Sequence, residues 1–393
     1  MKTLKFKPLV LALSVGMYTV VETSTNASPI VGAELRIVLS EQYRSMIEED
    51  VEEDVEEDVE DDVEDDVEDD VEDDVEDDVE DDIPMDTQDN LVDAFEDQII
   101  MSLDELLEDS DGESTYSDDW LVLADDEQLN ALEQQGYSII STEALKGLGS
   151  NLVKLKAPSS FNISKDNPSL ALIDSIADVN HVYQLAGRFE PPNGTSFHYN
   201  QLLPALSSQQ LRLGMIDTSI SLEHETLSGA NIKLHNVAKE QYSQVKDHGT
   251  AVASIMIGQK DGFTGLLPTA QLWSASVFFE HKQQAKITTA EYLVKAIDWM
   301  IAENVDVVNM SLAGPPNAVL EQTVQKACDN NLIIVAAAGN QGPNSKPLYP
   351  AAYECVLAVT ATDQKHKVYR RAARGDHIDI AAFGVNLLHA NAT

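Results

Sequence analysis

Three residues in the second half of the sequence have the types that acyl transfer needs: a carboxylate, Asp217, an imidazole, His248, and a side-chain amide, Asn340. Asp217 closes Leu-Gly-Met-Ile-Asp-Thr, His248 sits in Asp-His-Gly-Thr-Ala-Val-Ala, and Asn340 ends Val-Ala-Ala-Ala-Gly-Asn. A carboxylate can orient an imidazole, the imidazole can take a proton from a serine hydroxyl, and a fixed amide can donate to the oxyanion that forms. Each residue alone has a plainer reading: Asp217 as a helix cap or turn acid, His248 as a structural residue at a helix mouth, Asn340 as a turn residue. It is the ordered set that matches the chemistry.

The elements that must hold this set alternate between apolar strands and helices. Strands are expected at Leu211–Ile216, Gln271–Val277, Val305–Leu312 and Leu332–Ala337. Helices are expected from Gly249, at Thr289–Glu303 and at Asn317–Asn330. The strands are continuous apolar runs, which predicts a parallel sheet covered on both faces, a doubly wound α/β domain. Ligands bind beyond the carboxyl ends of such strands, where Asp217 and Asn340 fall. Ahead of it, residues 120–185 read as a small α+β domain. Its strands are expected at Leu121–Leu123, Tyr137–Ile140, Leu152–Lys156 and His181–Tyr183, with helices at Asp125–Gln135, stopped by Gly136, and Ser169–Ile176. That βαββαβ order is a split-βαβ sandwich. Nothing in it is arranged for catalysis, and His181 reads as a surface or rim residue.

From Leu211 onward the chain resembles the subtilisin-like serine proteases, the subtilase family (peptidase family S8). The matching segments are Gly-Met-Ile-Asp217-Thr, Asp-His248-Gly-Thr-Ala-Val-Ala, Asn309-Met-Ser311-Leu312-Ala313-Gly314 and Ala-Ala-Gly-Asn340. Tyr349-Pro-Ala-Ala-Tyr, Val356-Leu-Ala-Val-Thr-Ala and Phe383-Gly-Val-Asn also follow the family's course. The resemblance implies Asp217 as the acid, His248 as the general base and Asn340 as the oxyanion donor. It implies that Ser311, Leu312, Ala313 and Gly314 pair with an extended protein or peptide substrate by β-augmentation. Ala337, Ala338 and Gly339 would form the opposite wall of the pocket for the residue before the scissile bond, unless their small side chains serve only close strand packing. Residues 120–185 resemble the propeptides that precede such domains, assist their folding and occupy their cleft. No cofactor is implied for the chemistry; relatives bind structural calcium in loops, which this sequence does not make readable.

The resemblance also implies a nucleophile in a Gly-Thr-Ser segment beyond the Gly-Val-Asn-Leu-Leu stretch. No serine occurs between Lys346 and Thr393, and Ser345 lies in a Gly-Pro-Asn-Ser loop five residues past Asn340. The expectation is a polypeptide cut short before its nucleophile, inactive, and prone to aggregate because the absent helix would uncover apolar sheet surface. A rival from another class is a non-catalytic protein that binds proteases or peptides through the propeptide-like domain or the remnant cleft. A third is a secreted polyanionic tether. His224-Glu225 begins like a zinc-protease motif, but Ser228 stands where a second histidine is required.

Composition fixes the remainder. The 393 residues carry 25 Lys plus Arg against 69 Asp plus Glu, a formal charge of −44, which excludes binding to nucleic-acid backbones. The excess is local: residues 48–82 hold 27 acids and eight valines in a Val-Glu-(Glu/Asp)-Asp repeat, which reads as disordered. Residues 1–27 read as a signal peptide, with Lys2, Lys5 and Lys7, an apolar run from Leu9 to Val21 and cleavage after Ala27, hence export to periplasm or medium. That run is shorter than the about 20 residues that span a bilayer, and no second one follows. The remaining divisions are a short segment, 28–47, an acidic linker, 83–119, a turn-rich linker, 186–210, and the partial peptidase domain, 211–393. Cys328 and Cys355 could pair in an oxidising compartment or remain two buried thiols; the thiols are the preferred reading.

Overall fold

A computed structural model of the chain describes residues 107–108, 113–162, 176–186, 211–238, 245–281 and 285–390. They all fall within one compact unit of the chain. The expected signal peptide and the acidic repeat lie outside the described residues, as do most of both expected linkers and, but for Ile176, the helix expected at Ser169–Ile176.

The first described elements are β1 (Leu107–Glu108), β2 (Ser114–Ala124), α1 (Asp126–Gln134), β3 (Ile139–Leu145), β4 (Ser150–Leu155) and β5 (Ala177–Leu185). Helix α1 begins with a capping box, the Asp125 carboxylate accepting from Gln128 N while the Gln128 side chain accepts from Asp125 N. It stops at Gly136, whose φ of +83° suits a residue without a Cβ. These strands pair antiparallel in the order β3-β4-β2-β5. Strand β2 is buried on both faces. Trp120, Val122 and Ala124 fill the small domain's own core with Val153 and Leu155, while Leu121 and Leu123 join the main core of the chain. The period-2 alternation of a strand puts these two sets on opposite faces, so the apolar run Trp120–Ala124 serves two cores at once.

The larger domain contains β6 (Arg212–Asp217), β7 (Ile232–Asn236), α2 (Asp247–Ile257), the short hairpin β8 (Gln259–Lys260) and β9 (Phe263–Thr264), and β10 (Gln271–Ser276). It continues through β11 (Phe279–His281), β12 (Ala285–Thr289), α3 (Ala290–Ala302), β13 (Val307–Met310), β14 (Leu312–Ala313), α4 (Ala318–Asp329), β15 (Ile333–Ala337), β16 (Leu357–Thr362) and β17 (Ile380–Phe383). Seven strands form a sheet in the order β17-β16-β15-β13-β6-β10-β7, and every described pair in it is parallel. This is the doubly wound α/β architecture expected from the continuous apolar runs. Chain order reverses at β6: the chain winds outward to β7 and β10 on one side, then crosses to β13 on the other. The carboxyl end of β6 is therefore the topological switch point, the place where such sheets bind ligands.

Two expectations are corrected. Cys328 and Cys355 are joined in a disulfide, with Cα atoms 6.4 Å apart, and are not two thiols. They lie at the end of α4 and in the turn before β16, which the fold brings side by side. The bridge closes a loop of 27 residues, and its removal by Cys328→Ser is expected to lower unfolding free energy by about 3 kcal/mol, as measured by denaturant titration. His181 is not a surface or rim residue but 3% exposed. Its Nδ1 accepts from the Asn317 amide at 2.8 Å, a partner 136 positions away that local sequence does not reveal.

Candidate active site

Strand β6 ends on Asp217, whose carboxylate is fully buried. Helix α2 opens immediately opposite it, with His248 in its first turn and 4% exposed. The two meet: His248 Nδ1 lies 2.7 Å from Asp217 Oδ1 and 2.9 Å from Oδ2. Both neighbours of Nδ1 are acceptors, so Nδ1 carries the proton and the lone pair of the neutral ring resides on Nε2. The backbone N–H of Thr218 donates to the same Oδ1 at 2.6 Å, which fixes the carboxylate's rotation.

The residue after the histidine explains the tight approach. A Cβ on Gly249 would stand 2.5 Å from the Thr218 carbonyl oxygen and 2.7 Å from that of Ser219. With only hydrogen there, Gly249 N donates to Thr218 Oγ1 at 2.7 Å and pins the helix mouth to the loop that follows the acid. Asn340 lies three residues past the end of β15, two strands from β6 at the same carboxyl edge of the sheet. It follows Gly339, whose φ of +105° turns the chain off the strand. Ala337 ends β15, and the buried Ala338 donates its N–H to Val359 O at 2.9 Å.

The segment Ser311–Gly314 lies along one edge of β5, and β12 along the other. Leu312 and Ala313 pair antiparallel with Leu185 and Gln184, and Ala186 N donates to Ser311 O at 3.0 Å. Residues Val182, Tyr183 and Gln184 also pair with Thr289, Thr288 and Ile287 of β12. Tyr183 is fully buried and donates its hydroxyl to Pro315 O at 3.0 Å; burial pushes that hydroxyl's pKa well above its ordinary value. A Cβ on Gly314 would lie 2.4 Å from the Tyr183 ring, so this glycine makes the room that the ring occupies.

Further residues, absent from the sequence-level set, seat the small domain on α3 and α4. Glu291, at the start of α3, pairs with Lys154 and, at 2.9 Å, with Lys295. Asp298 on the same helix accepts Leu148 N at 2.9 Å from the β3–β4 turn, and a Cβ on Gly147 in that turn would strike the Asp298 carbonyl oxygen at 2.3 Å. Asp178 on β5 accepts from Ala318 N at 2.8 Å, joining Asn317 in capping α4. Nothing local marks their role in this contact, because each finds a partner across it more than 100 positions away.

Burial of Glu291 opposes its ionisation, but the ammonium groups of Lys295 and Lys154 outweigh it and hold the carboxyl below the usual glutamate range. A depressed carboxyl contributes stability that is full above the ordinary glutamate pKa and lost as pH falls through the depressed one. Thermal midpoints measured from about pH 5 down to about pH 3 are therefore expected to fall more steeply for the wild-type chain than for Glu291→Gln.

A buried carboxylate and an imidazole are thus paired at the switch point of a parallel sheet, where an acid/base pair could act on a bound ligand. Residues 165–393 match the Subtilase family, Peptidase_S8, and the chain belongs to that family. It is similar to the minor extracellular protease Epr of Bacillus subtilis, 34% identical over 186 residues, covering 46% of this chain and 28% of that protein. Subtilisin E of the same organism is 29% identical over 198 residues, covering 47% of this chain and 50% of its own length. The chain thus spans half or less of the length of these two relatives. Fervidolysin from Fervidobacterium pennivorans shares the fold, with a TM-score of 0.53 and 17% identity over 72% of this chain and 49% of that one. Among the described residues no cluster of His, Cys, Asp or Glu is placed to hold a metal ion, and no helix is long and apolar enough to cross a membrane.

Proposed function

We propose that this chain carries the acid, base and oxyanion donor of an exported subtilase-type serine endopeptidase, together with its own propeptide-like inhibitor. The Asp217–His248 pair carries the proposal, since it leaves Nε2 as the proton acceptor that a serine hydroxyl requires. Asn340 supplies the amide for the oxyanion and Ser311–Gly314 the main-chain partner of an extended peptide. Residues 120–185 act as the inhibitor, with β5 lying where a substrate strand would lie. The apolar run at Leu9–Val21 and the extracellular setting named for the Epr relative support export. The acid, imidazole and amide need no cofactor.

A fluorophosphonate probe tests this reading. The 393-residue polypeptide, with no serine between Lys346 and Thr393, is expected to remain unlabelled. A polypeptide extended with a Gly-Thr-Ser segment and its helix is expected to label on that serine only. Labelling of the 393-residue chain itself, or none of the extended chain once its groove is cleared, would overturn the assignment. The groove, hydrogen-bonded to β5 along both sides, also supports a second reading in which the protein binds extended peptides without cleaving them. Capture of a peptide by the extended chain with no labelling and no hydrolysis would select that reading.

A further inference from the structure

Strand β2 begins at Ser114, six residues before the domain boundary that composition suggests, and its first residues do not belong to the small domain's core. Thr115, fully buried, pairs with His181 of β5, directly before the residues that enter the groove. Between there and the next pair, Trp120 with Val179, the four residues Tyr116–Asp119 oppose the single Asn180. This bulge re-aims Tyr116. Its ring meets Phe279 of β11 edge to face, with centroids 5.8 Å apart, and Phe279 meets Tyr292 of α3 in the same manner. Phe279 also pairs with Ile287 of β12, the residue that faces Gln184 of β5 across the groove. Glu113 completes the contact with Lys346, 3.8 Å away in the loop that follows Asn340. That ion pair is largely exposed, 83% on the lysine side, so the ring contact and the buried pairing at Thr115 dominate.

We infer that Glu113–Ser117 is a strap that latches the groove-filling strand to the far groove wall. One edge of it is bonded to β5 at His181 and the other to β1 at Leu107 and Glu108, while the Tyr116 ring packs on Phe279 of β11, so β5 stays between β12 and β14 until Tyr116 leaves Phe279. The acidic tract thus ends, on its carboxyl side, in an inhibitory element distinct from the propeptide-like domain. Displacement or cleavage of the chain just before Trp120 becomes a step that precedes groove opening. The inference rests on the reading of the groove given above, but its test does not use that reading.

Hydrogen–deuterium exchange on the full chain measures the latch. Tyr116→Ala is expected to speed exchange of the amides in 182–186 and 312–313 by roughly three- to tenfold, the loss of one aromatic pair, with the amides of β6, β13 and β15 unchanged. Tyr116→Phe keeps the ring and should restore wild-type protection. Faster exchange confined to 113–119, with 182–186 protected as in the wild-type chain, would overturn the strap. So would faster exchange at 182–186 in Tyr116→Phe equal to that in Tyr116→Ala. Phe279→Leu, which alters the other partner, should reproduce the Tyr116→Ala pattern even if that variant folds poorly. Loss of the groove's proposed role in catalysis would appear in the labelling experiment alone.

Discussion

Asp217→Asn, made in a polypeptide that supplies the serine segment, is expected to slow acylation by about 10⁴-fold at neutral pH while leaving the fold intact. The size of the effect follows from which atom faces the imidazole. Thr218 N–H donates to the position of Oδ1, so the asparagine must keep its oxygen there, 2.7 Å from His248 Nδ1, and put its NH₂ in place of Oδ2, 2.9 Å from the same nitrogen. Nδ1 then faces one acceptor and one donor and has lost its anionic partner, so the tautomer with the proton on Nε2, the atom that must be bare to take a proton from the nucleophile, becomes favoured. Single-turnover labelling rates measure the loss. A decrease of less than tenfold would mean that the carboxylate does not set the tautomer and that the pair is structural.

Tyr183→Ala is the second large effect, and it separates inhibitor from enzyme. The ring is wholly buried against Gly314, its hydroxyl is bonded to Pro315 O, and its backbone pairs with Thr288. Truncating a buried aromatic side chain costs about 3–5 kcal/mol, which corresponds to a hold of β5 weaker by roughly 10²- to 4 × 10³-fold. Capture of a fluorescent extended peptide by the full chain should rise accordingly, with Tyr183→Phe close to wild type. Peptide capture that stays at wild-type level in Tyr183→Ala would show that β5 does not occupy the peptide's place.

The pairing of Asp217 with His248, and the position of Asn340 at the same edge of the sheet, are set by short, local segments legible in the sequence. Asp217 stands at the end of an apolar strand, His248 beside a glycine that nothing larger can replace, and Asn340 after a positive-φ glycine. Helices α3 and α4 carried their periodicity openly, and their bounds fall within a residue of those expected. What stayed hidden depends on partners far along the chain. The residues Ser114–Asp119 read as acidic linker because their composition is polar, yet they pair as a strand where β5 and β11 offer backbone and ring. Strands β11 and β12 are three and five residues long and carry little apolar pattern of their own; pairing with β5 defines them. His181 gave no local sign of burial because Asn317, which bonds it, belongs to another domain's helix cap.

Strand β5 leads, through residues 187–210, into the strand that ends on Asp217. On the proposed function, the strand competes with any substrate as part of the same molecule while that connection is whole, at an effective concentration on the order of millimolar, whatever the protein's dilution. One cut between Ala186 and Leu211 changes the reaction order. The strand must then find its groove from bulk solution, so inhibition that was independent of dilution becomes a function of how much protein the surroundings contain.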